Sequence, residues 1–300
     1  MFSFVILATA ILALWATGGA RRQDAARHVW LIPFAFWMPV ALIERVLEPL
    51  ALAWIALFAA GCVVATSDGT GRRTSGAIGL LRSRQVRALA TISVLVLAGL
   101  LMSHLLPGFN NPRVLSRIVL SEGAIPFTLH LNADKPLVGL FLLGWCHARI
   151  HRGREWRTMV VRAVPGAAVT IGLLLVLSLL AGYVRPDLKL PASTPLWLAV
   201  NLLFTCVAEE ALFRGFVQRR LKEAWRSRRG GAAVACGVAA VLFGLAHLGG
   251  GWTYVGLATV AGIGYGWVYA RTGRIEASIL THFALNTVHF VGFTYPALAR

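Results

Sequence analysis

Charge is scarce in this 300-residue chain. Asp, Glu, Lys and Arg make up 14% of it, against about 25% in an ordinary soluble domain, which excludes a conventional water-soluble globule. Acids are scarcer still, 12 Asp and Glu against 29 Lys and Arg, so a carboxylate inside an apolar run stands out. Cysteine is rare too. Cys62, Cys146, Cys206 and Cys236 show no CxxC spacing, which excludes a disulfide framework and a thiolate metal site and leaves them as small apolar residues. The strict apolar–polar alternation of a membrane β-barrel is missing, and so are internal repeats and low-complexity tracts.

What is abundant is hydrophobic sequence: 57% of residues, with a mean hydropathy of +0.70. The apolar stretches are continuous, and several approach the ~20 residues that cross a bilayer core. A spanning chain must satisfy its backbone internally, so continuous runs without alternation mean helices. The fold class is all-α, a polytopic transmembrane helical bundle of about 10 spans, with eight to ten compatible. The apolar segments run over about 2–18, 29–46, 47–66, 88–106, 134–148, 160–183, 195–213, 232–249, 252–270 and 277–294. The second and third are parted only by the Glu44–Pro49 neighbourhood, and the fifth is short enough for a re-entrant or interfacial element.

The net charge of +17 lies mostly in connectors. Arg21 and Arg22 follow the first segment; Arg72, Arg73, Arg82, Arg84 and Arg87 the third; Arg149–Arg162 the fifth; Arg219–Arg229 the seventh; Arg271 and Arg274 the ninth. Every second connector is basic, the pattern of cytoplasmic loops, and it favours counting the fifth segment as a span. Both termini are expected outside. The basic residues meet anionic lipid, so the partner is the lipid bilayer and no nucleic acid is expected. Basic residues follow the first segment rather than precede it, opposite to a signal peptide, so that segment reads as retained. The expected location is a bacterial plasma membrane, with the protein integral and multi-pass.

Polar residues concentrate downstream of about residue 160. Glu209 and Glu210 close the run LWLAVNLLFTCVA and precede Arg214. A carboxylate in such a run is costly and marks a functional site by default. On a helix Glu210 and Arg214 are i, i+4 neighbours, while Glu209 points about 100° away. One glutamate can pair with the arginine while the other faces a cavity, where a carboxylate suits general-base work; an interfacial acidic pair capping the basic connector is the competing reading. Phe243 and His247 share a face at i, i+4, and Gly244 between them permits close helix approach. His282, Asn286 and His289 form a polar stripe on the last segment, which must face protein or water. The stripe reads equally as an interhelical hydrogen-bond seam. Gly256, Gly262, Gly264 and Gly266 form a small-residue face, expected to pack against that last helix.

EExxxR, FxxxH and HxxxN, in this order over about 80 residues of membrane-grade sequence, resemble the CPBP family, also called Abi. That family contains type II CAAX prenyl endopeptidases and bacteriocin-processing or self-immunity proteins. The approach ARTGRIEASILTH to the third motif is similar too. The resemblance covers roughly residues 160–300, implying a catalytic transmembrane core there and leaving 1–159 as an N-terminal transmembrane region without an assigned role. It implies Glu209 as the base that activates water, with His247 as its partner. His282 and Asn286 would bind the scissile carbonyl and stabilise the oxyanion, and Glu210, Arg214 and Phe243 would support the site. The resemblance leaves two mechanisms open: a glutamate-dependent one without a cofactor, which is preferred, and one with a divalent metal such as zinc held by His247, His282 and Glu209.

The implied activity is that of an intramembrane endopeptidase acting on a membrane-associated protein or peptide. The alternatives are a non-proteolytic scaffold or immunity protein that keeps the site, and a proton- or cation-coupled transporter. The last would show repeats. One tension arises from simple up-and-down spans: Glu209 would lie near the cytoplasmic end of its helix, but His247 more than ~20 Å from the start of its own. A working site then needs that helix tilted, begun deep, or broken at Gly249–Gly251.

Overall fold

The computed structural model describes residues 1–16, 28–66, 83–147, 149–150 and 152–299. Arg21, Arg22, Arg72, Arg73 and Arg82, which carried much of the topology argument, lie outside the described residues. Each of the ten apolar segments forms a helix: α1 Phe2–Ala16, α2 Leu31–Ile43, α3 Pro49–Thr66, α4 Arg84–Met102, α5 Asp134–Cys146, α6 Gly153–Leu180, α7 Thr194–Ala224, α8 Gly231–Leu245, α9 Trp252–Thr272 and α10 Ile275–Gly292. Among the described residues α3, α4, α6 and α7 are long and apolar enough to cross a membrane, while α1, α2 and α8 are shorter apolar helices. The architecture is that of a helical integral membrane protein.

The chain forms two compact units. The first comprises Met1–Pro112 with Asn132–Ala148, and the second Arg113–Leu131 with Arg149–Arg300. In the first, the weak boundary between α2 and α3 is a real turn: Arg45 takes a left-handed φ of 55°, and Glu44 reaches back to accept the Ser3 hydroxyl at 2.6 Å. Helix α5 is the buried centre of this unit. Its Leu140, Phe141 and Leu143 have no exposure, and Phe141 packs on Trp30, Phe34, Phe58 and Trp145. At about 20 Å long, α5 is a core helix rather than a lipid-facing one, which is why it is apolar on every side. Its first residue, buried Asp134, accepts from Asn111 and meets His104 at 2.8 Å.

The second unit holds α6–α10 and one feature absent from the sequence reading, an antiparallel hairpin of β1 Arg113–Ile118 and β2 Phe127–His130. Two register irregularities interrupt its pairing, so its apolar–polar alternation is too short and broken to register as strands beside the long helical runs. The hairpin tip is tied to the last residues of the chain, with Ile125 N–H donating to Ala297 O and Ala299 N–H to Gly123 O.

Helix α9 is the packing centre of this unit, and the glycine face works differently from the expectation. A side chain at Gly262 would meet Ala240 of α8, one at Gly264 would strike Thr170 of α6, and one at Gly266 would meet Cys236 and Gln218. A side chain at Gly256 would meet nothing. The glycines thus serve contact with α6, α7 and α8 rather than with α10, because they lie on faces turned toward those helices. Gly244 of α8 behaves as expected: its bare backbone lies against Val255 and Thr259 of α9.

Candidate active site

Helix α7 carries the acidic pair in its middle. Residues 201–206 and 211–218 are wound as π-helix around an α-helical turn at 207–210. In a regular α-helix a four-residue step overshoots one turn by about 40°. The slacker i→i+5 winding takes up that overshoot, so Trp197, Asn201, Thr205 and Glu209 all line one cavity.

The length of α7 also removes the depth conflict between Glu209 and His247. The helix runs on to Ala224, well past the end of its apolar run, placing Glu209 about 22 Å from that end at 1.5 Å per residue. The returning α8 begins at Gly231 and stops at Leu245, with a 3-10 turn at Leu248–Gly250. His247 sits in that break, about 24 Å past Gly231. Glu209 is thus mid-helix rather than at a helix end as the sequence suggested, and it lines the same cavity as His247.

The cavity occupies about 470 Å³ and is lined by Glu209, His247, His282 and Asn286, with Phe243 in its wall. Glu210 and Arg214 stand behind it. Arg214 donates to Glu210 Oε1 at 2.9 Å and to Gly262 O at 3.1 Å. Its guanidinium lies 4.4 Å from the Phe243 ring centroid and 5.2 Å from that of Tyr265, a cation–π setting that offsets part of the lost hydration. One turn along, Gln218 repeats the pattern on Gly266 O at 3.0 Å.

His282 stands between the two glutamates. Its Nδ1 meets Glu210 Oε1 at 2.9 Å and, since a carboxylate only accepts, Nδ1 is the donor. Its Nε2 faces Glu209 Oε2 at 3.8 Å, and Tyr265 stacks on the ring with centroids 4.6 Å apart. His247 Nδ1 donates to Phe243 O at 2.7 Å, which leaves Nε2 as the nitrogen able to act on a substrate or water. Phe243 touches both imidazoles, 4.6 Å from His247 and 5.7 Å from His282.

Asn286 is held by residues the sequence reading passed over. Its Nδ2 donates to Asn201 Oδ1 at 3.3 Å and lies 3.8 Å from Cys206 Sγ. The Cys206 thiol also donates to Asn201 Oδ1, at 3.4 Å. The available signal was an asparagine eight residues before Glu209 within an apolar run. His289 also lines the cavity, its Nε2 donating to Thr294 O at 3.2 Å, and Tyr254, Tyr265 and Tyr295 complete the wall. Among the described residues, no three His, Cys, Asp or Glu side chains converge closely enough to hold a metal ion. His247, His282 and Glu209 are not drawn together as such a set; each imidazole uses Nδ1 on a neighbouring oxygen and keeps Nε2 for other partners.

Residues 191–288 match the family described as type II CAAX prenyl endopeptidase Rce1-like. This segment is CAAX-protease-like. The match is narrower than the 160–300 stretch first read from the motifs, but it contains every residue from Glu209 to Asn286. No curated protein and no solved structure matches the chain. The CAAX-protease-like segment thus spans α7, α8, α9 and most of α10, the helices that carry the acidic pair, both imidazoles and Asn286.

Proposed function

We propose that the protein is an intramembrane endopeptidase that hydrolyses a peptide bond of a membrane-associated protein or peptide. The observation that carries this reading is the convergence of Glu209 from α7, His282 and Asn286 from α10, and His247 from the break after α8 on one cavity. In this reading Glu209 takes a proton from water as the water oxygen attacks the scissile carbonyl carbon. His247, oriented by its bond to Phe243 O, presents Nε2 to the same water. Asn286 Nδ2 polarises the carbonyl and holds the developing oxyanion, and His282 joins it with N–H groups at both ring nitrogens, Nδ1 on Glu210 and Nε2 toward the oxygen. The proton taken by Glu209 then passes to the leaving amine as the C–N bond breaks.

Glu210 and Arg214 play a positioning part: Arg214 fixes Glu210, and Glu210 fixes His282. Residues 160–300 form the catalytic core in this view, and a bacterial plasma membrane with its basic loops cytoplasmic is the setting we infer.

The test is cleavage of a peptide library by purified protein in detergent. Glu209→Gln and His247→Ala should each lower kcat by at least two orders of magnitude without changing the melting temperature. Wild-type rates in Glu209→Gln would remove the base from the scheme, and a retained cellular effect in both variants would instead favour a non-proteolytic scaffold.

A further inference from the structure

The cavity has a wall that lies outside the CAAX-protease-like segment. Phe127 and Leu129 of β2, with Ile125 two places before, all line it. Their two-residue spacing is that of one strand face, so a single side of the hairpin is turned toward the space that holds Glu209. That face is apolar and incompletely covered: Ile125 is 42% exposed, and Phe127 and Leu129 are half-buried.

The wall is fixed relative to the helix that bears the glutamates. Phe127 packs edge-on against Tyr295 at 5.1 Å, and the Tyr295 hydroxyl accepts from Trp197 Nε1 of α7 at 3.1 Å. Tyr295 is itself held to the hairpin, its N–H donating to Ser121 Oγ at 3.0 Å. An apolar face rigidly referenced to a polar cluster in one cavity has the layout of a specificity wall: apolar lining for selection, a few placed polar groups for orientation.

We propose that the inward face of β2, made by Phe127 and Leu129 and continued by Ile125 just before the strand, selects the substrate by receiving apolar side chains of an extended peptide beside the scissile bond. This rests on the endopeptidase reading and adds a substrate class to it. Two features favour a peptide over a lipid chain. Among the described residues the sheet has two strands, so Phe127–His130 has an edge beyond the stretch 123–125 that pairs with 297–299, and an extended peptide laid along an edge gains backbone hydrogen bonds that an acyl chain cannot make. Such a peptide also repeats every two residues, in step with the three wall side chains.

Two measurements test the wall. In the first, a library of synthetic peptides randomised over four central positions is digested, and its products are read by mass spectrometry. The wild type should favour an apolar residue at one position next to the cleaved bond. Phe127→Ala and Leu129→Ala should shift that preference toward bulkier side chains, by on the order of tenfold in relative kcat/KM. Thr128→Ala serves as control, since its hydroxyl accepts from Arg117 N–H within the hairpin; it should keep the wild-type profile. An unchanged profile in Phe127→Ala and Leu129→Ala overturns the proposal while leaving the protease intact.

The second measurement needs no cleavage. A photo-crosslinking residue is placed at position 127 or 128 of the Glu209→Gln variant in phosphatidylcholine vesicles. A biotinylated Leu-rich peptide or its Ser-substituted counterpart is then added. Capture of the Leu-rich peptide from position 127, at least fivefold over the Ser peptide and over position 128, is expected. Adducts with phosphatidylcholine alone would make the wall a lipid surface and overturn the inference. Selective capture by the Glu209→Gln variant, together with no cleavage by the wild type, would keep the wall and remove the endopeptidase.

Discussion

Glu210 and Arg214, one turn apart on α7, are both without solvent exposure and meet at 2.9 Å. The pair links the carboxylate that holds His282 to the backbone of Gly262 on α9, so one ion pair sets the spacing of three helices. Removing one partner strands a buried charge, which costs about 3–5 kcal/mol. Arg214→Met should lower the melting temperature in detergent sharply, and Glu210→Gln with Arg214→Met together should cost less than the two single effects added. Strict additivity would mean the pair is not coupled. Arg214→Lys should not rescue, because a point ammonium cannot serve Glu210 and Gly262 O with a planar fork.

Asn201 predicts a separate effect. Its Oδ1 accepts from both Asn286 and Cys206, so Asn201→Ala frees the Asn286 amide to rotate while leaving the cavity open. A single neutral hydrogen bond is worth about 1 kcal/mol, and the expected loss is roughly fivefold in kcat with KM nearly unchanged. Asn201→Asp, which retains an acceptor at that place, should recover part of the rate. A larger effect on KM than on kcat would assign Asn201 to substrate binding instead.

The glycines of α9 should differ sharply among themselves. Gly264→Ala drives a methyl into Thr170 on α6, and overpacking of this kind costs about 1–3 kcal/mol. Gly256→Ala meets open space and should be neutral or slightly stabilising through helix propensity. Thermal unfolding of the two variants side by side reads the difference; equal stability would contradict the packing described for α9.

The loop before α7 has a pH signature. A hydrogen bond from Ser121, and then the charge of Lys189, hold the Asp187 carboxyl below its ordinary value. Because the folded pKa is the lower one, the stabilisation is complete above the ordinary Asp range, near 4, and is lost as pH falls through the folded value. Hydrogen exchange in 183–189 and 293–299 should quicken relative to the helices as pH drops below about 4. Ser121→Ala should weaken this dependence and also loosen the Tyr295 amide.

The sequence by itself determined the helical class, the existence and order of the ten helices, with bounds close except where α6 begins at Gly153 and α7 runs on to Ala224, and the Glu210–Arg214 pairing. These follow from local quantities: the length of apolar runs and the i, i+4 geometry of one helix. Only the tertiary structure decided that Glu209, His247, His282 and Asn286 share a cavity, since the residues that meet are 72 and 85 positions apart in the His282–Glu210 and Asn286–Asn201 contacts. Nor could local pattern show the π-winding that aligns Asn201 with Glu209, or the choice of α6, α7 and α8 as partners of the α9 glycines. The hairpin was hidden for the same reason. Its strands are short and irregularly paired, and its apolar face has meaning only against helices that lie far along the chain.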